Sequence, residues 1–282
     1  MDSSLRGRVA IVGAADTAVG KLPHVSATAL CAEAAVLALQ DAGISKDEVD
    51  GLVTCNSMVE PYLYHAEAIA EYLQIFPRYC VSANAGGGTT FSSIRQAAAA
   101  IATGACNTVL VALADTLRTG LSREQAMKMQ SSTGQPQFET PYGATVPAYY
   151  ALIARAHMDR YGTTPEQLAA VAVNGRRHAA LNPAAQMRDP ITVDDVLASR
   201  MIADPLHLLD CSLVSDGGAA IILTAADRAG EFKHDPVYIL GAGEGHSHEH
   251  ISQARSLTTS AAVESGREAF AMAGVSPGDI DL

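Results

Sequence analysis

The sequence predicts a layered α/β fold of buried strands joined by helices, on three observations. Short apolar runs alternate with amphipathic stretches of helical spacing over the first 115 residues, the pattern of parallel strands linked by right-handed helical crossovers. Of the 282 residues, 48% are hydrophobic and 17% charged. Much of the apolar content is alanine beside glycine and serine, which suits helices packed closely on strands. A strand-like run, three consecutive glycines and a helix also follow one another between Tyr79 and Ala100, bringing backbone N–H groups and the positive end of a helix dipole to one point.

Taken in order, Val9 to Ala14 (VAIVGA) is an apolar run stopped by glycine and reads as a strand. Ser26 to Ala42 repeats apolar residues at helical spacing before the breaker Gly43. Gly51 to Cys55 (GLVTC) is a second buried strand, His65 to Leu73 a helix and Tyr79 to Ala83 a third strand. Thr108 to Ala112 (TVLVA) is a fourth strand. From about Thr116 to Pro205 polar loops dominate, with helices from about Pro147 to Tyr161 and from Pro165 to about Leu181. Each proline suits a first helical turn, and Thr164 is a cap for the second helix. Asp216 to Thr224 (DGGAAIILT) then resumes the sheet. The divisions expected are residues 1–115, an inserted loop domain 116–205, a return to the first sheet at 206–235 and the start of a second half at 236–282.

The second half is signalled by a repeat. AGISKDEVD at Ala42 returns as AGVSPGDID at Ala273, and VAIVGA at Val9 as VYILGA at Val237. The first copy continues into a strand. The second stops at Leu282, so either the chain is part of a longer protein or something else covers the open edge.

The turn itself, NAGGGTTFSSIRQAAAA from Asn84, carries Gly86, Gly87 and Gly88, with Thr89, Thr90, Ser92 and Ser93 as capping hydroxyls. It suits an anion, a phosphate or a developing oxyanion; glycines used only for close strand–helix packing are the other reading. A Walker loop needs Gly-Lys-Ser/Thr and a dinucleotide fingerprint needs G-x-G-x-x-G, and neither is here.

A net charge of −11 excludes nucleic acid as the expected partner, because a phosphate backbone wants a lysine and arginine excess. No run approaches the ~18 to 20 apolar residues of a membrane span. The first residues lack a leader-like hydrophobic segment, so a cytoplasmic location is expected. The five cysteines, Cys31, Cys55, Cys80, Cys106 and Cys211, are scattered without C-x-x-C spacing. They read as small buried hydrophobes, not as disulfides or a zinc site.

The helix end IATG at Ile101, FETPYG at Phe138, HAALNPAAQMR at His178, ITVDDVLASRMIADPL at Ile191 and LLDCSLVSDGGAA at Leu208 together resemble the thiolase superfamily. The likeness is strongest to its sterol-carrier-protein-x or lipid-transfer-protein branch. The resemblance implies a duplicated αβαβα layered fold, present here as the N-terminal half, a loop domain that binds coenzyme A and only the start of the second half. It implies an acyl-CoA substrate, chemistry at a carbon–carbon bond next to the thioester carbonyl, no metal, and a homodimer. Some members of this branch work with a small acyl-CoA-binding partner of OB-like fold.

Counted back from IATG, the family's nucleophilic cysteine falls on Gly87, which cannot be acylated. Gly86 and Gly88 flank it. Cys80 lies seven residues upstream and would need re-registered backbone to serve instead. The family's remaining catalytic motifs belong to the second half, beyond Leu282. Ser212 occupies the place of a serine that contacts the pantetheine arm in related thiolases; a turn serine is the alternative. His178 reads as a surface histidine. Glu244, His246, His248 and His250 in GEGHSHEH form a metal-like pattern that we read as a solvated loop after a strand. Three functions are therefore open: thiolase-like acyl transfer, retro-aldol cleavage of a β-hydroxyacyl-CoA that needs no acyl-enzyme, and a non-catalytic binding or scaffold subunit.

Overall fold

The structure, a computed structural model, describes residues 5–281; residues 1–4 of the leader reading and the terminal Leu282 lie outside them. Two compact units are present. The first contains the described residues up to Gly120, together with Ser215–Gly245 and those from Ala262 onward; the second contains Leu121–Val214 and His246–Ala261.

In the first unit the elements are β1 (Val9–Asp16), α1 (Ala27–Ala42), β2 (Gly51–Cys55), α2 (His65–Leu73), β3 (Tyr79–Ala83), α3 (Thr89–Ala102), β4 (Thr108–Thr116) and the short α4 (Leu117–Gly120). The period-2 alternation of each strand decides the layers. Ala10, Leu52, Leu110 and Ile222 point to the face covered by α1 and α2, where Ala34, Ala35, Ala38 and Ile69 meet them. Their neighbours Val9, Val53, Val109, Val111 and Leu223 point the other way, onto Ala97, Ala98 and Ile101 of α3. Alanine-rich helices can lie this close to a sheet because little side chain separates the backbones.

In the second unit lie α5 (Arg123–Ser131), α6 (Val146–Tyr161), α7 (Pro165–Leu181), α8 (Val193–Ala198) and the small hairpin of β5 (Met201–Ala203) with β6 (Leu206–His207). Thr164 caps α7 through a reciprocal pair of bonds with Gln167, with Pro165 in the first turn.

Back in the first unit come β7 (Asp216–Ala225), β8 (Val237–Tyr238) and α9 (Ala262–Ala273). The six-stranded sheet runs β3-β2-β4-β7-β1-β8. Strands β2, β3 and β4 are parallel, as the alternation predicts. The resumed strand β7 enters reversed, antiparallel to both β4 and β1, so the sheet is mixed. The reason is the connection: β4 reaches β7 through a long excursion instead of a single crossover helix, which lifts the constraint to parallel entry. The sequence repeat is realised in detail. Both α1 and α9 end on a left-handed glycine, Gly43 and Gly274, followed by a capping box at Ser45 with Glu48 and at Ser276 with Asp279. The shared VAIVGA and VYILGA runs become neighbours, β8 pairing antiparallel with β1.

Candidate functional site

Because β2, β3 and β4 are parallel, their carboxyl ends come out on one edge of the sheet, where open α/β folds place their ligands. The glycine turn leaves that edge from β3. Gly86 has φ +56°, a left-handed conformation that glycine adopts without strain. Its N–H donates to Asn84 Oδ1 at 3.3 Å. The N–H of Gly88 donates to the Ala85 carbonyl at 3.1 Å, and that of Thr89 to the Gly86 carbonyl at 3.1 Å. The expectation that hydroxyls cap α3 needs correcting: the cap is Gly88, which has no side chain to offer. The Thr89 hydroxyl instead laces the turn, accepting from the Ala85 N–H at 2.9 Å and donating to the Gly86 carbonyl at 2.7 Å.

Gly87 stands at the tip of this laced turn, exposed, with open space where a Cβ would sit. Close strand–helix packing therefore does not require glycine at this position. Chemically the turn offers the N–H groups of Thr90 and Phe91 and the positive end of a 14-residue helix, and no nucleophile.

Around the edge, polar side chains fix the neighbouring loops. Asp115, near the end of β4, accepts from the Ser57 hydroxyl at 2.9 Å, the Met58 N–H at 2.7 Å and the Thr116 N–H at 2.8 Å. Asn56 Oδ1 accepts from the Ser82 hydroxyl at 2.5 Å, joining the ends of β2 and β3. His65 opens α2 buried, with Nδ1 unpartnered. Burial holds its pKa below the usual histidine value, against the nearby carboxylates of Asp115 and Glu60.

Asp216 of the SDGG run is fully buried and accepts from the N–H groups of Leu22 at 2.9 Å, Arg118 at 2.7 Å and Thr119 at 3.1 Å. Burial alone would raise its pKa; these donors outweigh it and hold the carboxyl below the ordinary range. Its neighbour Gly218 would place a Cβ 2.8 Å from that of Ala114. This run is therefore a structural anchor, a role the sequence alone did not reveal.

The remaining sequence candidates separate. Cys80 packs against the α1/α2 face of the core, and burial pushes its thiol up to about 11. Ser212 is exposed in the second unit, its hydroxyl donating weakly to the Leu213 carbonyl at 3.3 Å. His178 lies exposed on α7. The GEGHSHEH run is not one solvated loop. Glu244 accepts from the Ser92 hydroxyl at 2.7 Å and from Arg95 at 3.2 Å. His250 lies in the second unit with Nδ1 3.9 Å from Glu139, and Glu139 is itself held by the N–H groups of Ser252 and Gln135. Among the described residues no group of three or more His, Cys, Asp or Glu is placed to hold a metal ion. Asp115 and Asp216 escaped the sequence reading, and Glu244 entered it only within a metal-like pattern read as a solvated loop, because what marks all three is their set of donors in space. A carboxylate beside glycine or serine, as in SDGG and GEG, was the only signal available.

Comparison with known proteins gives two family matches: "Thiolase, N-terminal domain" over residues 9–227 and "Thiolase C-terminal domain-like" over residues 243–282. An acetyl-CoA acetyltransferase of Methanothermobacter thermautotrophicus is 34% identical over 278 residues, which is 97% of this chain and 72% of the relative. A 17-hydroxy-3-oxo-4-pregnene-20-carboxyl-CoA lyase of Mycobacterium tuberculosis is 36% identical over 98% of this chain and 74% of its own length. A solved structure titled Ltp2-ChsH2(DUF35) aldolase superposes with TM-score 0.85 at 33% identity, over 98% of this chain and 72% of that one.

Proposed function

The chain belongs to the thiolase superfamily, and from that premise we propose that it acts on acyl-CoA by breaking the Cα–Cβ bond of the acyl chain, as a retro-aldolase of a β-hydroxyacyl-CoA. One observation carries this reading: the turn sets the N-terminal end of α3, with its dipole and the Thr90 and Phe91 N–H groups, beside a tip, Gly87, that holds no nucleophile. Acyl transfer through a cysteine needs a thiolate to take the acyl group. Retro-aldol cleavage does not. A base takes the proton of the β-hydroxyl, the Cα–Cβ bond breaks, and a carbonyl product leaves. The electron pair passes to the thioester as an enolate, which is protonated at Cα to release a shorter acyl-CoA. The turn's part is to hold the negative oxygen with N–H donors, an interaction stronger in the transition state than in the ground state. The lyase and aldolase among the relatives support the reaction class.

Ser212 is proposed to hydrogen-bond the pantetheine arm. The DUF35 component named in the related aldolase supports a small OB-like partner for this chain also. We further propose a homodimer formed through β3, which is an edge strand of the sheet and would otherwise present unpaired backbone groups to water; light scattering at micromolar concentration checks this, and a monomer counts against it. Five free thiols support a reducing, cytoplasmic setting.

The test of the reaction is to incubate the chain, alone and with its partner, with β-hydroxyacyl-CoA and with β-ketoacyl-CoA. Intact-protein mass and released carbonyl product are then followed together. Cleavage of the hydroxy substrate with no covalent adduct supports the proposal. An acyl adduct on any cysteine, formed at a rate competitive with a thiolase, refutes it. A folded chain that binds no acyl-CoA leaves the scaffold reading.

A further inference from the structure

We infer that Glu244 is a positioning residue for the glycine turn, acting through α3. Its place is set with little freedom. A Cβ at Gly241 would collide with the Ala269 carbonyl, and one at Gly243 with the Ser265 carbonyl. The segment therefore lies flush on α9, and only glycine allows that approach at these two positions. Seated there, Glu244 donates its backbone N–H to Glu268 Oε2 of α9 at 3.2 Å. Its side chain crosses to α3, where Oε1 accepts from the Ser92 hydroxyl at 2.7 Å and Oε2 from Arg95 at 3.2 Å. Arg95 also lies 3.8 Å from Glu268, so one guanidinium stands between two carboxylates.

Ser92 is what connects this clamp to the turn. It is buried, 7% exposed, and its backbone N–H donates to the Gly88 carbonyl at 3.0 Å, the first hydrogen bond of the helix. Gly88 provides no side chain to cap or hold that end. The direction of the first-turn N–H groups is thus governed from one turn inside the helix, by a charge-assisted bond to a carboxylate that two glycines have aimed. A carboxylate beside a helix N-terminus would also weaken its pull on a negative oxygen. Arg95, which stands between that carboxylate and Glu268, balances one of the two charges, so the clamp gives orientation at a reduced cost in field.

The assignment rests on the turn's proposed role toward a thioester oxygen, and the experiment separates the two. Acetyl-CoA differs from free CoA only in the acetyl group that replaces the thiol hydrogen, so the ratio of their affinities, measured by calorimetry, reads the thioester end of the cleft where the turn stands. Glu244→Ala is expected to lower that ratio at least threefold while leaving free CoA binding unchanged. Glu244→Gln keeps an acceptor for Ser92 and should return the ratio to within twofold of the unaltered chain. Ser92→Ala should lower it as Glu244→Ala does, and the double variant no further, because both remove one bond. Equal weakening of both ligands, or an unchanged ratio in folded Glu244→Ala, overturns the positioning role. An unaltered chain that does not prefer acetyl-CoA removes the oxyanion role of the turn, and the positioning role with it. If Glu244→Ala does not fold, Ser92→Ala against Glu244→Gln decides: a drop in the first with retention in the second is expected, and no drop in the first overturns the inference.

Discussion

Replacing Gly87 by cysteine should give a stable protein whose new thiol is the most reactive in the chain. Gly87 is not among the glycines with positive φ, and a Cβ there meets nothing within 4 Å. The substitution thus carries neither strain nor clash, and stability should change by less than about 1 kcal/mol, the size of the unfolded-state entropy effect. The native thiols are poor nucleophiles because burial raises them: Cys80 and Cys106 to about 11 and Cys31 to about 12. At pH 8 a thiol of pKa ~11 is ionised to about 0.1%, whereas an exposed thiol of ordinary pKa near 8.5 is about a quarter ionised. That is a ratio of roughly 240. A more basic thiolate is intrinsically faster, by about thirteenfold for this difference with a Brønsted slope near 0.45, so the net advantage is roughly fifteen- to twentyfold. The helix N-terminus lowers the new thiol further, which raises its ionised fraction and leaves the net advantage close to that value. Timed alkylation with iodoacetamide at pH 8, with peptide masses read at each cysteine, measures this directly. If the introduced thiol reacts no faster than Cys80, the turn does not present its tip as described and the argument from Gly87 fails.

The turn makes a second, paired prediction: Gly86→Ala should cost about 1 to 2 kcal/mol because residue 86 is left-handed, while Gly87→Ala should be close to neutral, both read by urea denaturation. Asp216→Ala strands three part-buried N–H donors and should cost about 3 kcal/mol. The folded carboxyl lies below its unfolded pKa. Its contribution is therefore complete above about pH 4 and is lost as pH falls through the lower folded value. Acid unfolding followed by circular dichroism should show this dependence in the unaltered chain and not in Asp216→Ala. Ser212→Ala removes one neutral hydrogen bond of about 0.5 to 1.5 kcal/mol and should weaken CoA binding by a few-fold to about tenfold in calorimetry; no change would leave Ser212 a turn serine.

The layers were legible in the sequence because they follow from local period. Leu52 beside Val53 and Leu110 beside Val111 divide between two faces, and alternation alone states that. The capping boxes at Ser45 and Thr164 were equally readable, each closed within four residues. Strand direction at β7 was not, because nothing in DGGAAIILT records whether the chain re-enters from above or below. The same limit hid the role of Glu244, whose partners Ser92 and Arg95 lie 152 and 149 residues away. At the turn the glycines were visible and their division of labour was not: Gly86 supplies a conformation, Gly88 a bare cap and Gly87 an open tip.

Strand β7 has a consequence for biosynthesis. It occupies the middle of the sheet, between β4 and β1, yet about 200 residues separate it from β1 in the chain. At about 5 to 20 residues per second on the ribosome, the first strand emerges roughly 10 to 40 seconds before the partner that ties it to β4. During that interval β2, β3 and β4 can pair among themselves while β1 waits without its sheet partner and the apolar inner face of α1 is only partly covered. A nascent chain paused before Asp216 would therefore be a strong client for chaperones, and one released after Ala225 a weak one.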